Sequence, residues 1–163
     1  MARKRFWTLI DMIMDGFAFF AGILLLLVTF FVSYGVILRY IHIRPPIWIL
    51  QYTEYALLWI TFLGAAWLLR KGGHIRIDTV ITRLGPKTQK IIEVIIAILG
   101  FVVCIVIVWF GTEKTLEFYK RGILDVKGVI VPLYPLFLII PLGGFMLLLQ
   151  FGRNIYNRLK DLK

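Results

Sequence analysis

Four long stretches of this chain carry almost no charge, and that pattern constrains the fold more than any other feature. Gly16 to Leu38 is 23 residues without a charged side chain, and Ile47 to Leu69 is 23 residues interrupted by Glu54 alone. Val94 to Thr112 adds 19 uncharged residues and Gly128 to Gly152 adds 25. At about 1.5 Å rise per residue, each is long enough to cross most or all of the ~30 Å hydrocarbon layer as a helix. With 60% hydrophobic residues and a mean hydropathy of +0.87, an ordinary water-soluble globule is excluded. The expected fold is an all-α integral membrane protein, a single membrane domain over 1–163. Its spans are expected at about 16–38, 47–69, 92–112 and 129–152. Arg3, Lys4 and Arg5 resemble the basic start of a signal peptide. The apolar run that follows exceeds the roughly 7 to 15 residues of such a segment, so an uncleaved helix is expected. Pro132 and Pro135 predict irregular first turns in the last span, and Pro141 a kink.

The formal charge is +10. Basic residues flanking apolar spans answer to lipid headgroups and orientation, so nucleic acid is not an expected partner and membrane lipids are. Thirteen Lys and Arg fall on the side holding both termini and the Arg70–Lys90 connection, against six on the other. Both termini are therefore expected in the cytoplasm of a bacterial cell, with the chain multi-pass in its inner membrane. Two connections show helical periodicity. Ile77, Val80, Ile81 and Leu84 share a face after Gly72 and Gly73, predicting an interfacial helix at about 75–84. Leu116, Tyr119 and Ile123, with Glu117 and Arg121 at i, i+4, predict a second at about 113–121, ended by Gly122.

Chemistry-bearing residues are sparse. Cys104 is the one cysteine and reads as a small core residue. His42 and His74 are expected at opposite membrane faces and cannot ligate one haem iron. Neither a cofactor nor enzymatic activity is expected. Glu54 is the exception, because a carboxylate within a span is costly and is retained for a reason. Counted from Trp48, it lies about 9 Å below the interface. Gln51, Glu54, Leu58, Thr61 and Ala65 fall on one stripe of polar and small residues, as at helix contacts in lipid. Two readings stay open for Glu54: a hydrogen bond or ion pair to a helix or partner chain, or a proton- or ion-coupling group. Gly64, Ala65 and Ala66, and Gly143 with Gly144, mark places where another backbone can approach closely.

The second span and its exit resemble the small membrane subunit of tripartite ATP-independent periplasmic (TRAP) transporters. The residues that carry the resemblance are Arg39, Trp48, Trp59 eleven positions on, Phe62 to Ala66, and the exit Gly72, Gly73, His74, Ile75, Arg76, Ile77, Asp78. The family usually has acidic residues two and three positions after the first Trp, where this chain has Leu50 and Gln51; its carboxylate comes one turn later, at Glu54. The resemblance implies an accessory, non-catalytic subunit that packs against and stabilises a large transmembrane subunit. That larger subunit would move organic acids with a sodium gradient, receiving them from a periplasmic substrate-binding protein. Arg39, Trp48, Gln51, Glu54, Trp59, Gly64, Ala65, Gly72, Gly73, His74, Arg76 and Asp78 are then the candidate interface or structural residues. The rival expectation is a self-sufficient four-helix antiporter that dimerises around Glu54.

Overall fold

Apolar runs in hydrocarbon have no water to satisfy their peptide groups, so each must close its own hydrogen bonds as a helix. A computed structural model describes residues 2–72 and 86–161 and shows this outcome. Helix α1 covers Ala2–Tyr40, α2 Ile47–Arg70 and α3 Pro86–Arg121; two short strands follow, β1 Leu124–Asp125 and β2 Val131–Pro132; α4 is Leu133–Phe137 and α5 Ile139–Asp161. Among the described residues, four segments are long and apolar enough to cross a membrane: Trp7–Tyr40, Ile47–Arg70, Ile91–Arg121, and Leu133–Arg158, which joins α4 to α5. The interfacial helix expected at 75–84 lies outside the described residues.

Two expectations are corrected. Residues 113–121 do not form a separate interfacial helix but continue α3 without a break. Glu117 pairs along the same helix with Lys114 at 2.7 Å and Arg121 at 3.1 Å. The Thr112 and Thr115 hydroxyls return to the carbonyls of Val108 and Gly111. The amphipathic pattern is thus met by extending the helix, since nothing between Thr112 and Arg121 stops it. Gly122 stops it, at φ 58°, with the Ile123 N–H closing on the Phe118 carbonyl. The second correction concerns the last span, which begins at Leu133 rather than at 129. Residues 129–132 belong to a hairpin arm in which Leu124 faces Pro132 and Asp125 faces Val131. Pro132 sits at the cap of α4, and the Leu133 N–H just after it still closes on the Ile123 carbonyl at 3.1 Å.

The main seams are α3 on α5, α1 on α2, and α2 on α5. The helices therefore form a layer in the order α1, α2, α5, α3, with α1 and α3 at its edges. Gly143 and Gly144 make the centre of that layer thin. A Cβ on Gly143 would stand 2.8 Å from the Phe62 carbonyl oxygen, and one on Gly144 3.1 Å from Val108 Cγ2. One glycine pair thereby admits α2 on one side and α3 on the other. Gly64 admits no other helix of this chain: nothing described lies within 4 Å of where its Cβ would be. On α2 the buried small residue is Ala66, packed with Ile10 and Met14, not Ala65. Cys104 is buried with Leu69, Ala97 and Phe151, as a core residue. The apolar window of α1 is only 6% buried and that of the last span 22%, so an open layer leaves most apolar surface facing outward.

Candidate functional site

Two polar clusters tie the layer, one at each end. At the hairpin end, Gln51, Glu54 and Tyr55 project from one side of α2 because they are three and four residues apart. Gln51 is 2% exposed and grips both backbone polar groups of one residue, Val129. Its Oε1 accepts from the Val129 N–H at 2.7 Å, and its Nε2 donates to the Val129 carbonyl at 2.9 Å and to Tyr55 Oη at 2.8 Å. Tyr55 in turn donates to the Asp125 carboxylate. The hairpin approaches closely because Gly128 has no side chain: a Cβ there would be 2.5 Å from Ile47 Cγ2 and 3.3 Å from Gln51 Oε1. Glu54 completes the tie from outside, accepting from Lys127 Nζ at 3.0 Å, with both side chains about half exposed or more. The Tyr55 hydroxyl, helped by Lys127, holds the Asp125 carboxyl below its usual range, and Glu54 holds the Lys127 ammonium above its own.

At the other end, where both described termini lie, the ties are charged. Trp7, Asp11 and Asp15 recur every four residues along α1. Arg70, at the end of α2, donates to the Asp11 carbonyl at 2.8 Å and to the Asp15 carboxylate, while Trp67 Nε1 donates to Asp15 at 3.0 Å. Arg153 of α5 bonds the Asp11 carboxylate at 2.7 Å and lies 5.0 Å above the Trp7 ring. Three helices thus meet at Asp11. Arg158 of α5 pairs with Glu93 of α3, bringing in the fourth. A basic residue flanking a span would ordinarily answer to lipid headgroups; Arg70 turns inward instead, because the two α1 carboxylates stand opposite the last turn of α2.

Of the residues singled out in the sequence, Gln51 and Glu54 come together in the hairpin tie. Trp48 lies beside Phe31 and Tyr52, in edge-on contacts at 5.6 and 6.4 Å. Trp59 is half-buried against the Ala21, Leu63 and Ile139 cluster. Arg39 is exposed and lines a crevice of about 200 Å³ with Pro45, Pro46 and Leu50. Gly72 turns the chain out of α2 at φ 73°. Gly73, His74, Arg76 and Asp78 lie outside the described residues. Sequence reasoning passed over Asp11, Asp15, Tyr55, Asp125, Lys127 and Arg153. The i, i+4 spacing of the two aspartates before the first uncharged run was the one available sign.

Among the described residues no group of three His, Cys, Asp or Glu side chains is placed to hold a metal. A groove of about 410 Å³ between α1 and α2 is lined by Phe20, Leu24, Phe31, Trp48, Tyr52 and Trp59 among others, and its surface is nearly all apolar. Such a groove suits hydrocarbon or another helix, not a charged solute.

Residues 26–161 match the family described as tripartite ATP-independent periplasmic transporters, DctQ component. The C4-dicarboxylate TRAP transporter small permease protein DctQ of Pseudomonas aeruginosa is 24% identical over 116 residues, covering 70% of this chain and 55% of that protein. The chain therefore spans about half the length of this curated relative.

Proposed function

This chain belongs to the DctQ component family of the tripartite ATP-independent periplasmic transporters, and from that premise we propose that it is an accessory subunit that stabilises a large transport subunit. It is a multi-pass membrane protein of the small-permease type. In this reading it does not itself bind the substrate. The large subunit carries organic acids with a sodium gradient, and a periplasmic binding protein delivers them; the relative's name, with its C4-dicarboxylate, is in keeping with that class. Both termini face the cytoplasm, which places the hairpin at the periplasmic surface, and the membrane is the bacterial inner membrane.

The observation that carries this reading is an inside-satisfied, outside-apolar layer. The polar groups of its two clusters are spent on one another, whereas the faces of α1 and α3 stay open. A layer with that distribution offers a second membrane protein a broad apolar flank, and between its spans it offers a soluble anion no converging donors. Glu54 supports the rival antiporter weakly, since it lies at the rim of the layer against Lys127 rather than between helices. Purifying the tagged chain from its native membrane tests the choice. A stoichiometric larger membrane protein is the expected companion, and recovery of self-copies alone would favour the antiporter. Orientation is tested by a cysteine at the exposed Val126, in a Cys104→Ala background. It should react with an impermeant maleimide added outside intact spheroplasts, and labelling only after lysis would reverse the topology.

A further inference from the structure

A second cleft, at the terminal end, differs from the apolar groove between α1 and α2. It has a volume of about 670 Å³ and runs along α5, walled by Trp7 of α1 and Phe101 of α3. Its α5 lining extends from Leu148 to Lys160, about 18 Å along the axis. Polarity changes along that length. Leu148, Leu149 and Phe101 make an apolar floor, and Gly152 leaves room above it; then come Arg153, Asn157 and Lys160. Among the described residues that line it there is no carboxylate. Arg153 gives one edge of its guanidinium to Asp11 and remains 29% exposed as a side chain. Lys160 is exposed, and among the described residues no carboxylate pairs with it.

The geometry points to a binding site for one anionic phospholipid. Its phosphate would sit between Lys160 and Arg153, with the Asn157 amide as a further donor, and the upper part of an acyl chain would descend over Leu148 and Phe101. The vertical order of the lining argues for a lipid over a free phosphate, because a soluble anion would leave the apolar floor wet. The sign of the charge argues for an anionic over a zwitterionic headgroup, since two cations face the cleft and no lining carboxylate receives a choline. Arg70 and Arg158, at the same end, are turned into ion pairs and do not compete for the phosphate.

The test is native mass spectrometry of the full chain released from micelles holding equal amounts of phosphatidylglycerol and phosphatidylcholine. One retained phosphatidylglycerol per chain is expected, with phosphatidylcholine well below it. Lys160→Gln should reduce that retention about fivefold, the usual worth of one cation near an anionic lipid. Lys71→Gln, at the same end but outside the cleft, should change it less than twofold. Leu148→Trp keeps every charge but fills the floor, and should abolish retention while the protein stays folded by circular dichroism. Glycerol 3-phosphate, offered in place of lipid, should not be retained. Equal retention of the two lipids, an equal loss with Lys71→Gln, full retention by Leu148→Trp, or capture of glycerol 3-phosphate would each overturn the assignment.

Discussion

At the terminal end, Arg70 reaches from α2 to the two aspartates of α1 while Arg153 reaches Asp11 from α5. At the hairpin end, one neutral amide, Gln51, holds both backbone polar groups of a single residue, Val129, and charge enters only at the rim through Glu54, Lys127 and Asp125. The first arrangement joins long helices to one another. The second joins a short connecting segment to the start of a helix. The difference follows from what each end must fix. Helices meeting near an interface can be tied by long charged side chains, whose heads remain near headgroups and water. A hairpin with only two residue pairs cannot hold itself in place, and its backbone needs a partner that both donates and accepts. A carboxylate at position 51 would accept from the Val129 N–H but repel the Val129 carbonyl. The amide serves both, which gives a physical reason for Gln51 standing where the family's acidic residue usually does.

The comparison can be broken first at Arg70. Arg70→Ala leaves Asp15 without its cation and the Asp11 carbonyl without its side-chain donor, and we expect a loss of about 2 kcal/mol, discounted for the exposure of Asp15. The loss should appear in denaturant titration of the detergent-solubilised chain, and Arg70→Lys should recover only part of it because it offers no planar fork. A change below ~0.5 kcal/mol would mean that the terminal cluster is ornamental to folding.

The hairpin end should respond less globally. Gln51→Leu removes three hydrogen bonds but strands exposed-strand backbone that water can partly satisfy, so about 1 kcal/mol is expected. A nitroxide at Val126 should gain mobility in this variant, while the terminal end keeps its stability. Gln51→Glu should be nearly as damaging as Gln51→Leu at neutral pH, because of the Val129 carbonyl. If Gln51→Glu left the nitroxide as immobile as in the parent, the amide clamp would not be the hairpin's tie.

Charge at the rim sets a pH window for the same nitroxide. Asp125 has its folded value lowered, so its contribution is present above the ordinary carboxylate value of 3.8 and is lost as pH falls through the lower folded one. Lys127 has its folded value raised, so its contribution is present below the ordinary 10.5 and is lost as pH rises through the higher folded one. Immobility should therefore hold across pH 5–9 and loosen only in strong acid or strong base. Loosening near pH 6–7 would implicate a group other than these two.

Much of this architecture was legible in advance. Four uncharged runs dictate four spanning helices, since hydrocarbon leaves the backbone no alternative. Trp48 and Glu54 were visible as features of the second span. What could not be read was the pairing across helices. Arg70 and Arg153 look in the sequence like headgroup anchors, and only the opposition of α1 turns them toward Asp11 and Asp15. The continuation of α3 through Thr112 to Arg121 was hidden because an amphipathic helix on the membrane and one leaving it share the same periodicity. The hairpin was hidden by its apolarity, for Val129, Ile130 and Val131 read as the opening of a span.

The smallest expected effects separate exposed and buried polar groups. Glu54→Gln should cost under ~1 kcal/mol, because its pair with Lys127 is exposed, and uptake per assembled complex should be nearly unchanged. Full assembly with no transport would shift the reading toward ion coupling through this chain. Gln150 is 3% exposed, with Nε2 bonded to Asn154 and Oε1 unpartnered among the described residues. Gln150→Met should be neutral or slightly stabilising within about 1 kcal/mol. A clear loss in the isolated chain would show that the orphan acceptor has a partner.

The accessory role is tested most directly by organic-acid uptake into proteoliposomes under an imposed inward sodium gradient, with this chain alone and with a large transport subunit and periplasmic binding protein from the same cell. The chain alone should remain at the level of empty liposomes, and the assembled set should transport. Gradient-driven uptake by the pure chain would contradict the account.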